Sequence, residues 1–212
     1  MKLFLDTADV KSVKARLSTG LISGITTNPT LIFKSGKHPQ TVYQELIKLG
    51  IDDISMEVMG DSEDELFKNA MGHVKTYAEK ATIKLPCTID GLKACKRLSA
   101  INVRTNVTLI FSPAQAILAS LAGATYISPF IGRMDDNSLD GMKLINDISN
   151  TLRSDTKILA ASIRDPQSVG TAFALGADIC TVPAGVFDRM YDHVLTDKGL
   201  EQFERDNAAT SD

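Results

Sequence analysis

The stretch ATIKLP at residues 81–86 is a short apolar run with a lysine at its centre. As a β-strand it points Lys84 away from its two large apolar neighbours, because successive side chains alternate between faces. Amphipathic, helix-like stretches flank the run at residues 63–79 and 91–100. We therefore interpret it as one strand of a repeating strand–helix pattern, which is typical of a parallel sheet.

The same pattern extends over the whole chain. Strand-like runs occupy residues 2–6, 23–27, 53–58, 82–86, 104–109, 125–130, 156–162 and 178–182, and helix-like stretches occupy 8–18, 41–49, 63–79, 91–100, 113–121, 139–152 and 166–175. Eight such units predict an α/β fold, a single (β/α)8 TIM barrel spanning residues 1–212. An open doubly wound sheet has the same local pattern, but no GxGxxG or Walker A sequence supports it. Residues 197–208 predict an additional C-terminal helix, which could pack on a neighbouring subunit.

Composition limits the functional classes. The chain has 212 residues, 43% hydrophobic content, a net charge of −3 and no tryptophan. With this net charge the protein has no overall positive potential that would attract nucleic acid or a membrane surface. No apolar run is long enough to span a bilayer. The three cysteines are an odd number without CxxC spacing. Reduced thiols and the absence of a signal-like N-terminus predict a cytoplasmic protein.

Strand parity predicts a polar cluster at one end of the barrel. The outward strand faces must be apolar to pack on helices, and the inward positions at the carboxyl ends of strands form the active site of such barrels. Val107 and Leu109 are predicted to face outward in the fifth strand, as are Leu159 and Ala161 in the seventh. Thr26 is predicted to share a face with Asn28. The predicted inward set is Asp6, Asn28, Glu57, Lys84, Asn106, Thr108, Ser128 and Ser162.

The chemistry of this cluster depends on the lysine. Burial of an amine favours its neutral form, and a neutral lysine amine can form a Schiff base with a carbonyl. Asp6 and Glu57 could carry protons for such a reaction. Taken alone, Lys84 could equally be a surface residue on an edge strand, and each polar residue could be a turn former.

Two arginines follow the sixth and seventh strands. Arg133 and Arg164 lie where the loops of a barrel place binding groups, and with the Ser162 hydroxyl they could grip a phosphate. The alternative for each arginine is a surface salt bridge, because Asp135, Asp136 and Asp165 are close in sequence.

Six segments in order give the chain a family resemblance. They are FLDTA at 4–8, GITTNPT at 24–30, IKLPCT at 83–88, NVTLIFS at 106–112, ISPFIGR at 127–133 and ASIR at 161–164. With these segments the chain resembles the short-chain branch of the transaldolase family, which also contains the fructose-6-phosphate aldolases. The resemblance covers nearly the whole chain and implies a transferase of carbohydrate metabolism, in the pentose phosphate pathway, that needs no cofactor or metal.

The resemblance implies a Schiff-base mechanism on sugar-phosphate substrates. Lys84 would attack the ketone, Asp6 would exchange a proton with the C4 hydroxyl, and Glu57 with Thr108 and a water would move protons during Schiff-base formation. Substrate binding would fall to Thr26, Asn28, Asn106, Ser128, Phe130, Arg133, Ser162 and Arg164.

Two positions bear on the choice between the activities of this branch. Transaldolases resemble this chain in having Glu57 and Phe130, whereas fructose-6-phosphate aldolases typically have glutamine and tyrosine there. This favours transfer of dihydroxyacetone from sedoheptulose 7-phosphate or fructose 6-phosphate to glyceraldehyde 3-phosphate or erythrose 4-phosphate. The alternative is a fructose-6-phosphate aldolase that uses the same Lys84. The resemblance also implies a homo-oligomer, a pentamer or decamer.

Three other functions compete with this interpretation. A metal-dependent aldolase needs clustered ligands, but the histidines, at 38, 73 and 193, are far apart in sequence. A catalytically inactive binding barrel does not account for the lysine and two carboxylates. A phosphate-binding isomerase on the same fold would form no covalent adduct with its substrate.

Overall fold

The computed structural model describes residues 1–210, so the last two residues of the predicted domain 1–212 lie outside the description. Within this range the chain forms a closed barrel of parallel strands that follow one another in sequence order, and the last strand pairs with the first. The strands are β1 (Lys2–Asp6), β2 (Ile22–Thr26), β3 (Ile54–Glu57), β4 (Ala81–Pro86), β5 (Thr105–Ile110), β6 (Tyr126–Pro129), β7 (Lys157–Ala160) and β8 (Ile179–Val182). The predicted TIM barrel is confirmed.

Helices separate consecutive strands. They are α1 (Val10–Leu17), α2 (Pro29–Lys34), α3 (Pro39–Lys48), α4 (Glu63–Tyr77), α5 (Ile89–Ser99), α6 (Pro113–Leu121), α7 (Ile131–Asp135), α8 (Gly141–Thr151), α9 (Pro166–Ala174), α10 (Ala184–Arg189) and α11 (Val194–Ala209). The seven longer helices predicted between the strands are present. The short helices α2, α7 and α10 were missed, because segments of five or six residues show little amphipathic periodicity.

Local signals account for the helix boundaries. Ser62 caps α4 by accepting a hydrogen bond from the Glu65 amide, as its position before three acidic residues predicts. Gly123 and Gly176 follow α6 and α9 with φ of 84° and 103°. A Cβ at either glycine would lie 2.2 Å and 2.0 Å from the hydroxyls of Ser99 and Ser149, respectively. Both positions therefore require glycine for conformation and for space.

The barrel interior is filled at its amino-terminal end by an apolar layer. Phe4, Tyr126, Leu159 and Ile179 form a buried cluster there, and the Phe4 and Tyr126 rings meet edge to face at 6.3 Å. Below it the buried Asp53 carboxylate accepts hydrogen bonds from Tyr126 Oη at 2.7 Å and from Thr82 Oγ1 at 2.7 Å. These groups fill the interior at this end, and the polar residues of the predicted site lie nearer the carboxyl ends of the strands.

Two predicted strand faces are wrong. Leu159 and Ala161 face the interior rather than the helices. Leu159 contacts Phe4 and Tyr126, and Ala161 lines a cavity together with Asp6. Leu109 has φ of 61° at an irregularity in the β5–β6 register, which turns it out of the apolar face and into the barrel mouth. A bulge and an early strand end break the alternation that parity assumes.

The C-terminal helix α11 is present, and it begins three residues before the predicted start at residue 197. It has no buried residue, and its apolar side chains Leu195, Leu200 and Phe203 are exposed. None of the helices in residues 1–210 combines the length and the apolar content that crossing a membrane requires.

Candidate active site

Lys84 occupies the centre of the carboxyl end of the barrel. Its side chain is buried, and its Nζ donates to Glu57 Oε2 at 2.9 Å and to the Thr27 carbonyl at 3.2 Å. Lys84 and Glu57 are register partners on β4 and β3, so the pairing of the two strands sets their contact. The result is a lysine amine with a fixed direction and an adjacent proton acceptor.

Two cavities meet at Lys84. One of about 140 Å³ is lined by Asp6, Thr26, Asn28, Lys84, Ser128, Phe130, Arg133, Ala161, Ser162 and Thr181. The other, of about 390 Å³, is lined by Asn28, Pro29, Thr30, Leu31, Glu57, Lys84, Thr108, Leu109, Phe130 and Arg133. The amine therefore has one carboxylate on each side, Asp6 in the first cavity and Glu57 in the second.

Asp6 is held by hydroxyl groups at the end of β1. Its Oδ1 accepts a hydrogen bond from Thr26 Oγ1 at 2.7 Å, and Thr26 Oγ1 lies 2.6 Å from Thr181 Oγ1. Burial raises the pKa of Asp6, while the Thr26 hydrogen bond and the charge of Lys84 lower it in part. A carboxyl with a raised pKa in a cavity is suited to receiving and returning a proton.

Thr108 lines the Glu57 side of the site with an unused hydroxyl. Its Oγ1 is buried and has no hydrogen-bond partner in the structure. Buried polar atoms are normally paired, and Thr108 and Glu57 line the same cavity, so we expect this hydroxyl to hydrogen-bond with a group bound there.

Asn106 lies beneath the cavities rather than in them. It is fully buried, accepts a hydrogen bond from Ser128 Oγ at 2.7 Å and donates to Ser55 Oγ at 3.2 Å. The predicted inward direction is confirmed, but its side chain is committed to these two hydroxyls. Its contacts support the floor of the site around Ser128.

The two arginines have different surroundings. Arg133, in α7, lines both cavities and lies 5.0 Å from the centre of the Phe130 ring. Arg164 lines neither cavity, because both of its terminal nitrogens donate to the carboxylate of Asp136. The salt-bridge alternative therefore describes Arg164 in this structure.

Ser162 lines the smaller cavity, but the alternation of side chains along β7 does not explain its position. Strand β7 ends at Ala160, and Ser162 has a left-handed backbone with φ of 60°. The Gly132 amide donates to the Ser162 carbonyl at 3.0 Å, and a Cβ at Gly132 would lie 2.3 Å from that oxygen. Gly132 thus allows the segment around Ser162 to approach α7 closely.

Two polar residues near the site were not among the predicted site residues, although strand alternation had placed Ser55 on the face of Glu57. Ser55 shares the face of Glu57 on β3, and Thr181 lies on β8, a strand for which no inward face was predicted. In both strands the sequence signal is a small hydroxyl residue with an apolar residue on each side.

The histidines are not gathered at the site. His38 and His193 accept backbone hydrogen bonds at the starts of α3 and α11, and His73 stacks on Tyr77. Within residues 1–210, no group of three or more His, Cys, Asp or Glu side chains is placed to hold a metal ion.

Comparison with known proteins agrees with the geometry. A "probable transaldolase" of Caulobacter vibrioides is 48% identical and aligns over 99% of this chain and 98% of its own length. One of Nitrosopumilus maritimus is 45% identical over 97% of this chain and 94% of its own length. A thiamine phosphate pyrophosphorylase from Pyrococcus furiosus has the same fold, with a TM-score of 0.57, 18% identity and 85% of each chain covered.

The family model for transaldolase and fructose-6-phosphate aldolase matches residues 3–212, which is nearly the entire chain. Together with relatives at this level of identity, the match leads to one conclusion. The chain belongs to the transaldolase/fructose-6-phosphate aldolase family.

Proposed function

We propose that the chain is a transaldolase in which Lys84 forms the Schiff base with a ketose phosphate. The observation that carries this proposal is the position of Lys84, buried between Asp6 and Glu57 at the meeting point of two cavities. A fixed amine with a proton acceptor on each side matches the needs of imine formation and carbon–carbon cleavage.

Formation of the imine occurs on the Glu57 side. The ammonium of Lys84 gives a proton to Glu57, and the free amine attacks the ketone carbon of the substrate. The carbinolamine then loses water, for which Glu57 returns the proton through a water molecule bound by Thr108. The short Lys84–Glu57 distance and the unpaired Thr108 hydroxyl support these roles.

Cleavage and transfer occur on the Asp6 side. Asp6 takes the proton of the C4 hydroxyl, the C3–C4 bond breaks, and its electrons move to the iminium nitrogen. The aldehyde leaves and an enamine of dihydroxyacetone remains on Lys84. Attack of the enamine on an acceptor aldehyde forms the new bond, and Asp6 gives its proton to the new alkoxide.

Substrate binding is assigned to groups around the same cavities. Asn28 and Ser128 bind sugar hydroxyls, Thr26 orients Asp6, and Asn106 holds Ser128 in place. Phe130 forms an apolar wall beside the Arg133 guanidinium. Arg133, Ser162 and Arg164 bind the phosphate, and Arg164 must leave Asp136 to do so.

Transfer is distinguished from simple cleavage by the acceptor. Fructose 6-phosphate incubated with erythrose 4-phosphate should give sedoheptulose 7-phosphate and glyceraldehyde 3-phosphate, and omission of the acceptor should stop turnover. Release of free dihydroxyacetone at the same rate without acceptor would favour the fructose-6-phosphate aldolase alternative. Activity that persists in EDTA is expected, because no proposed step uses a metal.

We also propose that residues 1–212 act as one domain within a homo-oligomer, a pentamer or decamer. Helix α11 exposes Leu195, Leu200 and Phe203 and buries no residue of its own, so a second copy of the chain is the proposed partner. The free thiols, including the buried Cys95 and Cys180, support a cytoplasmic location.

A further inference from the structure

The Asp6 carboxylate is the end of a short chain of buried hydroxyl groups. Thr26 Oγ1 lies 2.7 Å from Asp6 Oδ1 and 2.6 Å from Thr181 Oγ1. Both threonines are almost completely buried, each with 2% exposure. Their strands, β2 and β8, pair with β1 on its two sides, and Thr181 is the register partner of Phe4, two residues before Asp6. The contact between Thr26 and Thr181 therefore spans β1 on the inward face, and the three side chains form one hydrogen-bonded row in the order Thr181, Thr26, Asp6.

The direction of the hydrogen bonds in this row follows from the number of protons. An ionised carboxylate only accepts hydrogen bonds, and a threonine hydroxyl has one proton to donate. When Asp6 is ionised, the Thr26 proton must therefore point at Asp6. Thr26 then accepts the proton of Thr181, which makes Thr181 the first donor of the row.

We propose that Thr181 is a positioning residue for the proton transfer at Asp6. Its hydroxyl fixes Thr26 with the proton directed at the carboxylate, and this strengthens the hydrogen bond that Asp6 receives. The proposal rests on the proposed function, because it assumes that Asp6 takes the proton of the C4 hydroxyl.

The same row accommodates the protonated form of Asp6. Once Asp6 has taken a proton, its own O–H can donate to Thr26, and the Thr26 proton can turn to Thr181. This arrangement requires the proton to be on Oδ1, the carboxyl oxygen that faces Thr26, and the Thr181 proton to turn away from Thr26. The pair of threonines therefore keeps the carboxyl hydrogen-bonded before and after proton transfer, in a site where an unpaired polar group is costly.

Among the charged groups near Asp6, Lys84 lowers the pKa of Asp6, as the hydrogen bond from Thr26 does. Lys84 and Arg133 line the same cavity as Asp6, and Glu57 is bonded to Lys84 on its far side. Burial raises the pKa of Asp6, and the Thr26 hydrogen bond and Lys84 lower it in part. Loss of the Thr181 hydroxyl should weaken the hydrogen bond from Thr26 to Asp6, so the pKa of Asp6 should rise further.

The test compares Thr181→Val, which keeps the side-chain shape, with Thr181→Ser, which keeps the hydroxyl. The matched control is Thr105→Val, a buried threonine of β5 whose Oγ1 lies 3.3 Å from Cys95 Sγ and does not contact Asp6. The readouts are the ¹³C NMR titration of the Asp6 carboxyl, assigned with Asp6→Asn, and the pH dependence of kcat/KM for transfer.

Thr181→Val should raise the pKa in the Asp6 NMR titration by about half a pH unit, and it should shift the acidic limb of the kcat/KM profile to higher pH by the same amount. Thr181→Ser and Thr105→Val should leave both near the wild-type positions. If Thr181→Val does not fold, Thr181→Ala against Thr181→Ser makes the same comparison.

An Asp6 titration that stays in place in Thr181→Val or Thr181→Ala, or that moves equally in Thr181→Ser, would overturn the proposal. Failure of the proposed function has a different signature. In that case Thr181→Val would still move the carboxyl titration, but Asp6→Asn would retain transfer activity.

Discussion

Lys84 Nζ and Glu57 Oε2 lie 2.9 Å apart as register partners on adjacent strands of the barrel. Both side chains are largely shielded, with 6% and 15% of their surfaces exposed. An ion pair in such a position is poor evidence for a stabilising role, because desolvation offsets much of the attraction. The contact is better explained by chemistry, since it gives the amine a nearby carboxylate for proton exchange.

Glu57→Gln should therefore slow catalysis much more than it weakens binding. A general base contributes roughly 10²–10⁴-fold to rate. Because fructose-6-phosphate aldolases typically have glutamine at this position, we expect kcat for transfer to fall at the lower end of that range, by about 10²-fold, with a small change in KM. Steady-state assays of transfer measure both constants. Glu79→Gln, which changes an exposed carboxylate outside the cavities, is the control. Full activity of Glu57→Gln would contradict the proposed role.

Asp6→Asn should stabilise the protein at neutral pH while it abolishes transfer. Burial raises the pKa of Asp6 in the folded protein, so its ionised form is less favourable there than in the unfolded chain. The contribution of Asp6 to stability is thus fully present below its ordinary pKa and is lost as the pH rises through its folded-state pKa. Asparagine carries no charge, so the substitution removes the unfavourable free energy of burying an ionised Asp6 at neutral pH.

Thermal unfolding of Asp6→Asn and the wild type from pH 4 to pH 8 measures this effect. The melting temperature of the variant should exceed that of the wild type at neutral pH, by about 2–4 °C for each kcal/mol, and the difference should shrink in acid. Asp192→Asn, at an exposed position, should show no such trend. A variant that is less stable than the wild type at neutral pH would count against this account of Asp6.

Asp136→Asn should strengthen the binding of phosphorylated substrate. Asp136 holds Arg164 outside the cavities, and the pKa of Asp136 is lowered mainly by its hydrogen bonds with Arg164. Exposed ion pairs contribute roughly 0–1 kcal/mol, so release of Arg164 should lower KM for fructose 6-phosphate by up to about fivefold. Asp155→Asn, exposed before β7, is the control. A higher KM in Asp136→Asn would mean that Asp136 orients Arg164 for phosphate binding.

Phe203→Asp should reduce the size of the assembly. Phe203 is 71% exposed on α11, a helix without buried residues of its own. A charge there would be desolvated at a subunit contact but harmless on an isolated barrel. Light scattering with size-exclusion chromatography gives the mass, and Glu204→Gln on the same helix is the control. An unchanged mass would exclude a contact through this face.

The repeating architecture was readable from the sequence because each strand and its helix carry their own periodicity. The inward set was also largely readable, since Asp6, Glu57 and Lys84 follow simple alternation within regular strands. Prediction failed where the backbone departs from a strand. Leu109 and Ser162 both have positive φ, which side-chain patterns do not reveal. Alternation assigned Leu109 to the wrong face, and it placed Ser162 in the site for the wrong reason.

Side-chain partners were less predictable than positions. Arg164 was expected at a phosphate site, and its sequence position is compatible with that, but its contact with Asp136 depends on how α7 meets the segment after β7. Thr181 was missed because its significance comes from Thr26, a residue 155 positions away in the chain. Such contacts form only when the barrel closes.

The most direct test of the central claim is covalent trapping of the Schiff base. Borohydride added with fructose 6-phosphate should inactivate the enzyme and leave a reduced dihydroxyacetone or fructose 6-phosphate adduct on the tryptic peptide that contains Lys84. Lys84→Met should show no adduct under the same conditions. If the folded enzyme turns over substrate but gives no adduct, or gives one on another lysine, the proposed role of Lys84 is wrong.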